Sequence, residues 1–312
     1  MNGIDEARPQ HSVLGVSLIL AAALTISIQD VVFKLFSSEL TLWQIFALRG
    51  VLAVPLLLAV IWARGAHQGG VRAALGKWPI LRSVFITMTF LTFYSVIPFL
   101  SLSTVGAANY IAPIFVTLLS AYVIKEAVGP LGWLGVLLGF AGVVILLQPG
   151  TDAFSSWAGL PIIGAAFYAL AHITTRARCQ TVPLAAMALS LNLVMLLAGL
   201  IVSALLLLLK PQGDIAEAYP YIFGMWSGME VSDWLVLALL AGFAISIGML
   251  LAGAYQAAPP SIVSTFEYSY LVFVAVWDIL FFGIAPTVTS VTGMVLIVVA
   301  GLLVLRRNAN SS

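Results

Sequence analysis

The chain has 312 residues, of which 62% are hydrophobic and only 8% charged, with a mean hydropathy of +1.11 and a formal net charge of +1. A water-soluble domain carries about 25% charge, so a soluble globular protein is excluded, and without a basic stripe to release counterions so is a nucleic-acid-binding surface. The single Cys179 excludes an intrachain disulfide, and the scattered His11, His67 and His172 exclude a histidine-based metal site.

What remains is an all-α integral membrane protein. The polar stretch 1–12 ends in no small-residue cleavage site, so the first span is expected to be retained and to act as the signal. A helix needs about 20 apolar residues to cross about 30 Å of hydrocarbon. Runs of that kind predict ten transmembrane helices, approximately 13–36, 41–63, 79–100, 103–124, 131–148, 157–175, 183–209, 233–254, 260–282 and 287–305. Most joints are short, which predicts antiparallel hairpins; 64–78 and 210–232 are the longer connections. With the N-terminus inside, Arg8, Arg64, Arg72, Lys77, Arg82, Lys125, Arg176, Arg178, Arg306 and Arg307 all collect on the cytoplasmic side. Both termini are then cytoplasmic. Tyr219, Tyr221 and Trp226 in the outer loop suit a belt at the level of the lipid headgroups.

The two halves resemble each other. Sliding the stretch from Leu102 onto that from Pro259 places Asn109-Tyr110 on Glu267-Tyr268 and Gly135 on Gly293. In the first helix of each half, Asp30 and Lys34 are matched with His172 and Arg176. Each half holds five spans, an odd number, so the second must be inverted in the membrane: 1–150 as one repeat and 151–312 as the other. Inverted repeats that exchange conformations around a midplane site are a transporter device.

These residues carry a family resemblance. "SIQDVVFKLF", "QIFALRG", "IAPIFVTLLSAYVIKEAVGPLGW" and "AYQAAPPSIVSTFEYSYLV" together resemble the drug/metabolite transporter superfamily, specifically the EamA-type proteins of two five-helix repeats. The last stretch is similar to a subgroup that includes riboflavin and S-adenosylmethionine carriers. The resemblance implies a secondary active transporter of a small metabolite in the bacterial inner (cytoplasmic) membrane, as a monomer or homodimer. Two positions depart from the subgroup's pattern: Thr265 replaces a proline, which argues against a helix break at Glu267, and Ile284 replaces a glutamate whose first-repeat counterpart, Glu126, is present.

Ionisable residues within spans cost about 2.5–3.5 kcal/mol each on insertion scales and need a reason to be there. At about 1.5 Å per residue, Glu267 lies about 10 Å in from one edge of its span, and Asn109 about 9 Å in from the opposite edge of its own. Both approach the midplane, where a site shared by two inverted repeats belongs. Glu267 and Asn109 are therefore candidate substrate-binding residues. Tyr94, Tyr110, Tyr168, Tyr255, Tyr268 and Tyr270 are the aromatic candidates, with rings suited to a planar or methylated cation. Asp30, Lys34 and Arg49 form a second group, an ion pair pinning the first hairpin or an outer gate; Asp30 and Lys34 have the four-residue spacing of a helical pair. Asp278 is expected to snorkel, Arg176 to anchor topology, and His172 to make a helix contact.

A carboxylate near the midplane favours cargo bearing an amine or sulfonium, or a proton as co-substrate, while Arg49 offers a place for a carboxylate. Amino-acid-like or cationic compounds such as S-adenosylmethionine fit this pattern, and riboflavin is the neutral aromatic alternative. The chain has no GxxxxGK[ST] phosphate loop, so transport would run on a gradient or exchange, with no cofactor. A membrane-embedded enzyme would need paired acids or histidine ligands at bilayer depth, and a channel a ring of polar residues. Neither pattern is evident.

Overall fold

The structure, a computed structural model, describes residues 12–36, 40–65, 67–96, 105, 108–150, 157, 159–209, 219–283 and 287–309, apart from the side chains of 33–36, 67, 68, 94, 282 and 305–309. Most of the described residues are helical, as hydrocarbon requires of a chain that must satisfy its own backbone. In order these helices are α1 (Ser12–Phe36), α2 (Leu42–Ala63), α3 (His67–Ala74), α4 (Lys77–Val96), α5 (Ala112–Tyr122), α6 (Pro130–Leu147), α7 (Gly159–Arg178), α8 (Leu184–Leu209), α9 (Pro220–Phe223), α10 (Val231–Ala257), α11 (Pro260–Glu267), α12 (Ser269–Phe282) and α13 (Val288–Ala309).

Helices occupy all ten predicted spans. Among the described residues, six stretches are long and apolar enough to cross a membrane: Ser12–Val32, Leu42–Ala63, Pro130–Leu147, Leu184–Leu209, Val231–Ala257 and Pro260–Phe281, the last combining α11 and α12. Ala112–Tyr122 and Val288–Val304 are shorter apolar helices. The other two, α4 and α7, carry Arg82, and His172 with Arg176, respectively. These two least apolar spans pack on each other, so their polar residues face protein rather than lipid.

The main helix pairings survive exchange of the two halves. The pairs α2–α8, α5–α11 and α6–α13 each map onto themselves, whereas α4–α7 exchanges with α1–α10 and α2–α10 with α4–α8. Glycines let these backbones approach, and their contacts occur in matching sets. A Cβ on Gly142 would lie 2.7 Å from the Gly293 carbonyl oxygen, and one on Gly135 would lie 3.4 Å from that of Ala300. Gly50 meets Leu196 as Gly199 meets Ala47, and Gly15 meets Ala254 as Gly164 meets Thr89. Such reciprocity is what two inverted five-helix repeats require. It also corrects one part of the repeat alignment: matching Gly15 with Gly164 brings Asp30 opposite Cys179 rather than His172.

The loop around α9 folds back onto the helices. Trp43 Nε1 donates to the Ile222 carbonyl at 2.8 Å, Gln44 Nε2 to the Ser227 carbonyl at 3.0 Å, and Trp226 Nε1 to Ser203 Oγ at 2.8 Å. At least Trp226 is thus tied to α8 by its polar edge, with the rest of its ring half-exposed.

Candidate functional site

The ninth span breaks at the residue after Glu267: α11 ends at Glu267, Tyr268 is a turn, and α12 starts at Ser269. The expectation that Thr265 argues against a break here is corrected, since the turn forms without a proline. Thr265 Oγ1 donates to the Ser261 carbonyl at 3.0 Å and Ser269 Oγ to the Phe266 carbonyl at 2.6 Å, bonds that bend helices by competing for backbone acceptors. The fourth span has a turn at the matching place, Tyr110-Ile111, before α5 begins at Ala112. Both spans therefore carry a local turn at the tyrosine that follows Glu267 or Asn109, with Tyr268 itself still in the right-handed helical region (φ −60°, ψ −20°).

Glu267 Oε1 accepts two phenol hydrogen bonds, from Tyr255 at 2.6 Å and from Tyr168 at 2.8 Å. Those phenols come from α10 and α7, so one carboxylate oxygen joins three spans. His172 lies between the same two rings, its centroid 3.9 Å from that of Tyr255 and 4.2 Å from that of Tyr168. Tyr255 is fully buried, a support for Glu267 and His172. Tyr168 and Glu267 keep some accessible surface.

The same holds for Tyr110, Tyr270, Asn109 and Asp30, all half-buried. Tyr110 stacks on Tyr270 with centroids 6.2 Å apart, and Tyr270 Oη donates to Asp30 Oδ2. Tyr110 is within electrostatic reach of both Asp30 and Glu267, so the two acids and the aromatic wall form one interior cluster. Tyr268 is fully buried instead. Its ring covers Gly139, where a Cβ would meet it at 2.4 Å, and its hydroxyl is 3.4 Å from the Tyr110 carbonyl.

The expected pairing of Asp30 with Lys34 falls on a side chain outside the described residues. The described partners of Asp30 are Tyr270 and the adjacent Gln29, whereas Arg49 Nη2 is 3.2 Å from Met195 Sδ, with its guanidinium 5.8 Å from the centre of the Phe46 ring. The Tyr270 phenol thus ties α1 to α12 through Asp30. The side chains of Lys34 and Tyr94 lie outside the described residues.

One residue was missed. Arg82 is fully buried, and its Nε, Nη1 and Nη2 have no hydrogen-bond partner among the described residues; both ring nitrogens of the fully buried His172 are likewise unpartnered. Arg82 lies within electrostatic reach of Cys179, Tyr168 and His172. In the sequence it passes for a loop-flanking charge, five residues after Lys77. The available signal was its place inside the apolar run of the third span.

Just beyond this cluster, polar groups tie the ends of three spans together. Arg176 Nε contacts Glu126 Oε1 at 2.7 Å, Arg176 Nη1 donates to the Gln256 carbonyl at 2.9 Å, and Gln256 Nε2 donates to the Cys179 carbonyl at 2.6 Å. Burial pushes the Cys179 thiol up to about 11, with Arg82 acting in the opposite direction, so little thiolate exists near neutral pH. Maleimide labelling of Cys179 is therefore expected to be slow. Glu126→Gln should accelerate it by roughly tenfold if the ion pair and its hydrogen bonds hold on the order of 1.4 kcal/mol. Unchanged labelling kinetics would show that the pair does not hold this end closed.

Fold and site together define a polytopic helical membrane protein with two locally turned spans meeting at an interior acidic and aromatic cluster. Residues 13–148 match the EamA-like transporter family, and the EamA resemblance read in the sequence holds. The chain is 29% identical over 62% of its length to a riboflavin transporter of Rhizobium johnstonii, spanning 59% of that relative. It is 24% identical over 67% of its length to a riboflavin transporter of Brucella anthropi, spanning 69% of it. An uncharacterized transporter of Helicobacter pylori is 25% identical over 93% of this chain and 94% of its own. A crystal structure superposes with a TM-score of 0.72 at 17% identity, over 93% of this chain and 96% of the other, a likeness of fold.

Proposed function

We propose that this protein is a secondary transporter, not an enzyme, that carries a small polar metabolite by alternating access in a bacterial inner membrane, with both termini cytoplasmic. Its two halves, 1–150 and 151–312, act as the moving repeats. The observation that carries this reading is the placement of Glu267: it sits at a turn in the ninth span, held by Tyr168 and Tyr255, beside an accessible aromatic wall. Glu267, Tyr168 and Tyr270 of the second repeat bind the cargo together with Asn109 and Tyr110 of the first. Asp30 anchors Tyr270.

Two acids beside three rings favour a cationic or zwitterionic cargo, amino-acid-like or similar to S-adenosylmethionine, by charge attraction and cation–π contact. A proton is the candidate co-substrate. The second reading is riboflavin, supported by the names of two relatives and by the Tyr110–Tyr270 stack, which would accept a flat ring system. Counterflow in proteoliposomes separates them. Saturable exchange of labelled S-adenosylmethionine, with riboflavin inert, supports the first; exchange of riboflavin alone supports the second. Chemical conversion of either solute, without exchange, would overturn transport.

A further inference from the structure

We propose that Arg82 and His172 form an oxyanion-binding subsite, so that the cargo carries a carboxylate or phosphate as well as the group that meets Glu267. The inference rests on the transport reading and adds a second recognition element to the same site.

A buried guanidinium without a partner is among the least favourable arrangements a protein can hold, and inside a membrane it marks function. Arg82 has that arrangement: three nitrogens, no described partner, no exposure. Its setting also fits an anion. The nearby groups within electrostatic reach are a phenol, a thiol and an imidazole, and among the described residues none supplies a carboxylate to neutralise it. Glu267 bonds Tyr255 and Tyr168 through Oε1, and no salt bridge among the described residues joins it to Arg82. His172, between those two rings, presents a further unpartnered donor position. A guanidinium offers a planar fork of N–H donors that matches a carboxylate or phosphate in two-point contact.

The route from the interior is short in chemical terms. Tyr168 touches both sides: its hydroxyl bonds Glu267, its ring contacts His172, and it keeps accessible surface. A zwitterion would then lie across Tyr168, its cationic part at Glu267 and its acidic part at Arg82. The Arg176–Glu126 and Gln256 ties join spans at the same end of the bundle as Cys179, near Arg82.

The same oxyanion could come from a phospholipid headgroup, so the test includes a lipid arm. Full-length protein in phospholipid-free detergent is melted with inorganic phosphate or acetate at ionic strength held constant with chloride. The wild type is expected to show a saturable rise in melting temperature. Arg82→Met should melt higher than wild type without ligand, because it removes an unpartnered charge, and should weaken the anion response by about tenfold or more. Arg82→Lys should keep part of the response. An Arg82→Met protein that melts lower without ligand, or one that keeps the full anion response, would overturn the subsite. A response seen only in phosphatidylglycerol nanodiscs, insensitive to soluble anions, would make it a headgroup site and overturn the assignment to cargo. In proteoliposomes the two readings fail separately: an anion response without exchange of any tested solute sinks transport, while exchange of S-adenosylmethionine undiminished by Arg82→Met sinks the subsite.

Discussion

Glu267→Gln is expected to weaken binding of a cationic cargo at every pH while leaving the protein folded. Glutamine keeps the shape and one acceptor for Tyr168 and Tyr255, so the junction of three spans persists. What it removes is the charge. Hydrogen bonds to a charged group contribute about 1.5–3 kcal/mol, so affinity should fall by about 10- to 100-fold from this one atom change. If the carboxylate carries a coupling proton instead, exchange of cargo for cargo should survive and accumulation driven by a pH gradient should vanish. Counterflow and gradient-driven uptake, measured on the same proteoliposomes, distinguish the two. Wild-type behaviour in both would reduce Glu267 to a tie between helices.

Gly142→Leu is expected to prevent assembly of the bundle. The Cβ alone would come within 2.7 Å of the Gly293 carbonyl oxygen and 3.0 Å of Ile297 Cγ1, and neither helix backbone can yield locally. Overpacking within a core costs about 1–3 kcal/mol where side chains can shift, and a backbone obstruction in the α6–α13 contact should cost more. Gly242→Leu is the control, because Gly242 is exposed and a Cβ there meets nothing within 4 Å. Size-exclusion profiles and melting curves of the two variants should differ sharply. A monodisperse Gly142→Leu protein with wild-type stability would show that α6 and α13 do not meet in this way.

Much of this architecture is legible before any coordinates exist, because hydrocarbon imposes a length on every apolar run and a cost on every charge. Glu267 stands out in the sequence for that reason, and the repeat points to Asn109 and the paired tyrosines. Less legible are features that depend on which face a side chain takes. Tyr268 and Tyr110 are equivalent in sequence, yet one is packed against Gly139 and the other keeps accessible surface. Asp30 is nearer in sequence to Arg49 but bonds Tyr270, a contact across 240 residues that local spacing does not reveal. Arg82 escaped because near a helix end an arginine either snorkels or is buried, and only packing decides. The turn after Glu267 forms without the proline such a turn suggests.

The tie between Arg176 and Glu126 has no counterpart among the described residues at the other end. The two-fold relation that matches Gly15 with Gly164 puts Ser27, a partner of Trp277, in the place of Arg176, and the repeat alignment puts Ile284 in the place of Glu126. Two halves with the same scaffold thus carry unequal latches. A machine that swaps its halves would have two mirror-related states of equal energy were the repeats identical in sequence; here an ion pair favours one of them. In the proposed alternating carrier, a bias of about 1.4 kcal/mol would make the populations about 10:1, with the latched end shut in the favoured state. Evolution of a single glutamate at position 284, with a basic partner at 27, would level that bias and let the idle protein face either way.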